Sequence, residues 1–223
     1  MTKLALIIAA VSYLLGSIPF GYLLVRVFRG QDVRSVGSGN IGATNVARTG
    51  SKGLAVATLL LDALKGYAAV SFAFWLAGTR RLESPVPTGF YDHPEQGMNG
   101  HSFFLLAALA ALCAILGHMF TVWLRFKGGK GVATAVGAFA ALAPRAILIA
   151  LVLFVIVVAV TRYVSLGSMV AAAAFPFLVW WLSPAEGTST PILLLIAASS
   201  TLIVVRHKDN IRRLLAGTEN RFR

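Results

Sequence analysis

The residues of this 223-residue chain whose types and spacing suit chemistry fall in three polar segments. The first, residues 36–50, reads VGSGNIGATNVARTG. Gly37, Gly39 and Gly42 interrupt Ser38, Asn40, Thr44, Asn45 and Arg48. Glycine permits positive φ and lets backbone N–H groups converge on an anion. Ser, Asn and Thr add neutral donors, and arginine supplies a planar fork suited to phosphate. An ordinary glycine-serine turn rarely needs two Asn, a Thr and an Arg together, so the segment reads as an anion-binding loop.

The second, residues 125–132, reads RFKGGKGV and leads into a run of small residues. Its likeness to a nucleotide P-loop is partial. Lys130 is followed by Gly131 rather than the Ser or Thr that holds magnesium, and the upstream spacing differs. A metal-nucleotide site is therefore not expected. The amides of Gly128, Gly129 and Gly131 at a helix N-terminus, beside Lys127 and Lys130, would form an anion site. A basic cytoplasmic turn explains the same residues equally well.

The third is the tail, RHKDNIRRLLAGTENR, residues 206–221. Its helical spacing predicts a short amphipathic helix at the membrane interface, where Lys208 and Arg212 suit lipid head groups. His207 and Asn210 are less easily dismissed, being three apart on one face at the exit of the last apolar run. Two further charges, Asp62 and Lys65, lie within an apolar run at i,i+3 spacing, which lets them pair. At 1.5 Å per residue they sit about 14 Å and about 18 Å into the span. Charges that deep cost at least about 3 kcal/mol each unless paired or hydrated. They are expected to brace the bundle near the site. His118, shortly before the lysine-glycine loop, reads as a packing or hydrogen-bonding residue. His93 and His101 belong to a different loop.

The elements that position these segments must be membrane spans. The chain is 57% hydrophobic and only 13% charged, about half the charge of a soluble domain. Its 20 Lys and Arg against 8 Asp and Glu give +12. In a lipid-facing chain that excess reflects cytoplasmic loops, anionic head groups and an anionic substrate, so no nucleic-acid partner is expected. The single Cys113 excludes a disulfide framework and a thiolate zinc site. Apolar runs of spanning character cover residues 4–25, 54–77, 103–124, 146–160, 164–182 and 192–205, and a shorter Ala/Gly-rich run covers 132–143. The first run is too long for a signal-peptide core and no small-x-small site ends it, so it reads as a span.

Charge decides the count. With seven spans and the N-terminus outside, fifteen Lys and Arg fall inside and four outside, with Lys65 in a span. With six spans the split is nine against ten and the bias vanishes. The expectation is an all-α membrane protein of seven helices, N-terminus outside and C-terminus cytoplasmic, forming one domain over residues 1–223. Residues 78–102, with Pro85, Pro87, Pro94, Glu83, Asp92 and Glu95, read as an irregular outside loop.

The motifs resemble the bacterial acyl-phosphate:glycerol-3-phosphate acyltransferases, integral membrane enzymes of phospholipid synthesis. The matching stretches are GSIPFGYLL at 16–24, the GSGNIGATNVARTG loop, LDALKG at 61–66, GHMF and FKGGKGVAT within 117–134, and RHKDNIRRLLAGTENR. They run in family order over nearly the whole chain. The resemblance implies a multi-pass protein of the bacterial cytoplasmic (inner) membrane with its site facing the cytoplasm. It further implies acyl transfer from acyl phosphate to the 1-hydroxyl of glycerol 3-phosphate, giving lysophosphatidic acid and phosphate, without cofactor or metal. Residue by residue, it implies catalytic roles for Ser38, Arg48, Lys130, His207 and Asn210. Substrate binding falls to Gly37, Gly39, Asn40, Thr44, Asn45, Lys127, Gly128, Gly129 and Gly131. Asp62, Lys65, His118 and Glu219 are expected to support the site.

The residues agree with this chemistry on their own terms. Two anionic substrates suit cationic, amide-lined loops poor in acids. The His-x4-Asp pair of soluble-domain glycerolipid acyltransferases is missing, since His118 is followed at that spacing by Trp123 and His207 by Arg212. No Ser-His-Asp set is evident either. Catalysis is then expected to rest on alignment and oxyanion stabilisation, with the hydroxyl proton passing to a substrate phosphate oxygen. A transporter of phosphate or a phosphorylated solute is the main alternative, but it would usually place its site at the midplane between repeats. A CDP-alcohol phosphotransferase would need clustered aspartates, and Asp32, Asp62 and Asp209 are dispersed.

Overall fold

A computed structural model describes residues 2–79, 100–183 and 188–221, and among these the regular structure is entirely helical. The elements in chain order are α1 (Thr2–Ser17), α2 (Phe20–Arg29), α3 (Ala43–Val46), α4 (Lys52–Thr79), α5 (Gly100–Met119), α6 (Val132–Leu142), α7 (Pro144–Thr161), α8 (Val164–Leu182), α9 (Thr190–Val205) and α10 (Lys208–Leu215). Among the described residues, five spans are long and apolar enough to cross a membrane, α1 and α2 counting as one. A sixth is formed if α9 and α10, bent by 50° at their junction, are taken together. The expected loop at residues 78–102, including Arg80, Arg81 and His93, lies almost wholly outside the described residues.

Two apolar runs differ from their sequence reading, and the short one forms a helix as expected. The first is broken at Ile18–Pro19 into α1 and α2, because proline lacks the N–H that would continue the ladder. The run at 103–124 leaves the helix after Met119. There Arg125 and Phe126 take positive φ values of 53° and 62° and fold the chain back on the helix end. The short run forms α6, whose 11 residues extend about 16 Å, roughly half the hydrocarbon thickness.

α6 is buried among its neighbours through Thr134, Ala135, Gly137, Ala138, Phe139 and Leu142. It packs on α4 backbone to backbone. A Cβ on Gly66 would lie 2.0 Å from the Thr134 carbonyl oxygen, and one on Gly137 1.7 Å from that of Ala63. Such small-residue contacts let membrane helices gain van der Waals energy where no hydrophobic drive separates them from lipid.

The main core gathers residues of α1, α4, α5, α6, α7, α8 and α9, including Ile8, Ile115, Phe139, Phe175 and Ile196. A second, smaller cluster of Val25, Val33, Ile41, Val46 and Leu124 anchors the first polar loop to α2 and to the turn after α5. The ends of α1 and α5 are tied together as well. The Tyr13 hydroxyl donates to the Phe120 carbonyl at 2.6 Å, and the Thr121 hydroxyl to the Ser17 carbonyl at 2.5 Å. The helix break thus faces the chain reversal.

Candidate active site

The first polar loop is organised around Asn45, which is 2% exposed. Its Oδ1 accepts from the Ser38 amide at 2.9 Å and the Ser38 hydroxyl at 3.2 Å. Its Nδ2 lies 2.8–2.9 Å from the carbonyls of Val33, Val36 and Asn40. Asn45 therefore shapes the loop with its whole amide. Asn40 does the same locally, accepting from the Gly42 amide at 2.8 Å. Gly37 has φ +57°, and a Cβ there would lie 2.5 Å from Asn45 Oδ1 and 2.7 Å from Arg48 Cδ. The loop closes over those side chains only because that position is bare. Ser38, Gly39, Thr44 and Arg48 are exposed on its surface. Arg34 holds the loop's start, pairing with Asp32 at 2.6 Å and covering the Tyr22 ring. That hydrogen-bonded guanidinium, against the opposing effect of burial, holds the Asp32 carboxyl below its ordinary value.

The glycine segment lies directly on the end of α5. The Gly128 amide donates to the Met119 carbonyl at 3.1 Å, and that of Gly129 to the His118 carbonyl at 3.0 Å. These two amides cap α5, so they are engaged on the helix rather than turned towards an anion. A Cβ on Gly128 would lie 2.0 Å from the His118 carbonyl oxygen, and one on Gly129 1.9 Å from His118 Nε2. Gly131, at φ +83°, precedes α6. The first helical bond there runs from the Ala135 amide to the Gly131 carbonyl, so the amides from Gly131 to Thr134 form the helix N-terminus. Lys127 is exposed, whereas Lys130 is half-buried.

The tail helix meets this segment. Lys130 Nζ donates to Asn210 Oδ1 at 2.5 Å, and Asn210 Nδ2 donates to Glu219 Oε1 at 2.6 Å. The same Glu219 oxygen accepts from the Ser165 hydroxyl at 2.7 Å, while Oε2 accepts from Arg213 Nε at 2.7 Å. Burial raises the Glu219 carboxyl, but hydrogen bonds from Ser165, Asn210 and Arg213 outweigh it and hold the carboxyl below its ordinary value. Arg206 donates to the Gly129 carbonyl at 3.1 Å and to that of Gly128 at 3.3 Å, and lies over the Phe120 ring. His207 is 2% exposed, with Nδ1 2.8 Å from the Ile203 carbonyl. That acceptor fixes the proton on Nδ1 and leaves Nε2 as the acceptor.

The electrostatics bind the three segments into one site. Burial, with the charges of Arg213 and Arg48, pushes Lys130 down to about 8 against the opposing pull of Glu219 and Asp209. His207 is pushed down to about 4, mainly by burial, with Lys130 adding to it and the bond to Ile203 opposing. The positive charge of Arg48 in the first loop is among those that disfavour the Lys130 ammonium. Beside them opens a cleft of about 520 Å³ lined by Asp32, Arg34, Ser35, Gly39, Phe126, Lys127, Gly128 and Arg206.

The structure therefore brings Arg48, Lys130, His207, Asn210 and Glu219 to one end of the bundle, with Gly39, Lys127 and Gly128 on the adjoining cleft. Asp62 and Lys65 pair at 2.7 Å within the bundle, and Lys65 also meets His118. His101, at the far end of α5, is exposed and away from this group. Two residues escape the sequence reading. Ser165 opens an apolar helix and has no local signal, its partner being 54 residues away. Arg206 had one, a guanidinium at the exit of a span, but it was absorbed into the basic tail.

A family model described as Glycerol-3-phosphate acyltransferase matches residues 6–217. Glycerol-3-phosphate acyltransferase of Rhodopseudomonas palustris (strain BisB5) is 46% identical over 210 residues, covering 94% of this chain and 92% of the relative. That of Geobacter sulfurreducens is 46% identical over 219 residues, covering 98% and 97%. Among solved structures, PlsY (YgiH), an integral membrane glycerol 3-phosphate acyltransferase, in its glycerol 3-phosphate form superposes with a TM-score of 0.80. It is 35% identical, with 98% of this chain and 96% of that one covered. Its lysophosphatidic acid form gives a TM-score of 0.77 at 33% identity. With its polar segments converged as described and these matches spanning almost the full length, the chain belongs to the glycerol-3-phosphate acyltransferase family.

Proposed function

We propose that the protein transfers a fatty acyl group from acyl phosphate to the 1-hydroxyl of glycerol 3-phosphate, giving lysophosphatidic acid and phosphate. The observation that carries this reading is the convergence of the three polar segments: Lys130 of the glycine segment meets Asn210 of the tail helix, and the first polar loop packs on the turn after α5. Lys130 is a half-buried cation held by a neutral amide, and an anion beside it offsets its desolvation. Both proposed substrates bring a phosphate. The relatives' shared name and the glycerol 3-phosphate form of PlsY support the acceptor. The chemistry of the site supports the donor, because an acyl phosphate carries its own good leaving group and needs no strong base.

In this mechanism Arg48 and Lys130 hold phosphate oxygens, and the exposed Ser38 hydroxyl adds a neutral donor by turning from Asn45 Oδ1, which keeps the Ser38 amide. Lys130, near 8, is mostly charged at neutral pH. The hydroxyl oxygen attacks the acyl carbon, the bond to the phosphate oxygen breaks, and the hydroxyl proton leaves with the phosphate. His207, near 4, is too weak a base to hold that proton, so its Nε2 serves as an acceptor that orients the hydroxyl. Asn210 sets Lys130, and Glu219 sets Asn210. Gly37, Gly128, Gly129 and Gly131 let the loops pack closely on their own neighbours, and Gly39 keeps the cleft wall bare for substrate.

The membrane arrangement follows the same reading: one domain with seven spans, N-terminus outside, and the site on the cytoplasmic face of the bacterial inner membrane. The burial of short α6 among its neighbours supports counting it as a shielded span. Convergence of three basic segments at one end supports their sharing the inner side. Proteoliposomes given radiolabelled glycerol 3-phosphate and acyl phosphate test the reading. Label recovered in lysophosphatidic acid is expected. Accumulation of unmodified glycerol 3-phosphate in the lumen would make the protein a transporter instead.

A further inference from the structure

We propose that Lys65, buried in the bundle, is a positioning residue that sets the glycine segment and thereby Lys130, acting through His118; this rests on the acyltransferase reading. Lys65 and Asp62 are 4% and 2% exposed and take no part in the reaction described above. Their pairing alone does not account for where the ammonium points. Lys65 Nζ lies 2.7 Å from Asp62 Oδ1, 2.7 Å from the Ile18 carbonyl and 3.0 Å from His118 Nδ1. An ammonium has three N–H donors and no acceptor, and here it meets one oxygen on α4, one at the break between α1 and α2, and one ring nitrogen on α5.

Each contact has a consequence. The Ile18 carbonyl lies where proline breaks the first span and accepts from both the Phe20 amide and Lys65, so the ammonium ties α4 to that break. Donation to His118 Nδ1 makes that nitrogen an acceptor, which leaves the ring proton on Nε2 and the imidazole neutral. With Asp62 ionised the trio carries no net charge, as a membrane interior demands. The imidazole held this way forms the surface on which the glycine segment rests. A Cβ on Gly129 would lie 1.9 Å from His118 Nε2, so no side chain fits between them. Gly129 immediately precedes Lys130, and its amide donates to the His118 carbonyl. Moving the ring moves the platform under Lys130.

Two variants test this in the full-length protein. Asp62→Asn combined with Lys65→Met removes both charges together, so no unpaired ion is left behind. His118→Leu keeps the Asp62–Lys65 pair and removes only the platform, which keeps the test valid if the first variant folds poorly. Hydrogen exchange of the amides at 128 and 129 is expected to quicken about tenfold in either variant, with the rest of α4 and α5 unchanged. kcat/KM for glycerol 3-phosphate is expected to fall about tenfold or more. The alkaline limb of activity is expected to move upward, because Lys130 leaves its desolvated position among Arg48, Arg213, Asp209 and Glu219. A purely structural role would lower the amplitude and leave the limb in place. Wild-type exchange and an unmoved limb in a folded His118→Leu protein would overturn the proposal. Absence of acyl transfer in the wild type itself would overturn the acyltransferase reading instead.

Discussion

Lys130 and Asn210 are 80 residues apart in sequence, yet the ammonium of one donates to the side-chain carbonyl of the other at 2.5 Å. This contact joins the glycine segment after α5 to the tail helix after α9. Asn210 passes the connection on to Glu219, and Glu219 to Ser165 and Arg213. The cation proposed to bind substrate is thus held by a neutral amide rather than a carboxylate. That choice keeps the positive charge available, since a carboxylate in the same place would satisfy it.

Asn210→Ala removes the acceptor for Lys130 and one donor to Glu219. Glu219 keeps Ser165 and Arg213, so the fold should largely survive. We expect kcat/KM to fall about 10- to 100-fold, or about 1.4–2.7 kcal/mol of transition-state stabilisation, in initial-rate kinetics. A smaller change in thermal melting should accompany it. Unchanged kinetics would remove Asn210 from the site.

The pH profile follows from Lys130 and His207. Lys130 is depressed to about 8, so its charge is full well below that pH and is lost as pH rises through it. Activity should therefore fall through about pH 8, with KM for glycerol 3-phosphate rising first. His207, depressed to about 4, is neutral across the physiological range. His207→Gln should lower the rate without changing the shape of the profile between about pH 5 and 7. An acid limb in that range that vanishes in His207→Gln would make the histidine a general base.

Much of the candidate site was legible in the sequence because its residue types were unusual for their position. A loop carrying Ser38, Asn40, Asn45 and Arg48 among glycines has few structural uses, and Lys130 and His207 sit where spans end. The division of labour among them was not legible. Asn45 and Asn40 spend their amides on the loop itself, and the Gly128 and Gly129 amides cap α5. Those facts depend on three-dimensional closure that no spacing encodes. Hydropathy found the apolar runs but not the break at Pro19 or the exit at Met119, because it averages over a window wider than either feature. α6, at 11 residues, falls short of the length rule, and its place in the bundle comes from burial against its neighbours.

Arg206→Leu should loosen the glycine segment, since it strips the donors from the Gly128 and Gly129 carbonyls. Charged hydrogen bonds are worth about 1.5–3 kcal/mol where water is excluded, and this partly exposed side chain should give the lower end. Melting in detergent should fall modestly, and KM should rise more than kcat falls. Arg206→Lys keeps the charge but loses the fork, so it should restore stability only in part. Equal melting and kinetics in Arg206→Leu and wild type would show that the staple is idle.

Gly137→Val tests the α4–α6 contact, where a Cβ would lie 1.7 Å from the Ala63 carbonyl oxygen. The two backbones must separate, at a cost of about 1–3 kcal/mol. A lowered melting temperature should appear with reduced activity, because α6 begins immediately after the segment that carries Lys130. A fully stable Gly137→Val protein would contradict the packing.

The central claim concerns the donor, and a direct comparison tests it. The purified protein is given radiolabelled glycerol 3-phosphate with acyl phosphate, acyl-CoA or acyl carrier protein at equal concentration, and labelled lysophosphatidic acid is measured. Product with acyl phosphate alone is the predicted result. Equal or better transfer from a thioester donor, or no transfer from any of the three, would contradict it.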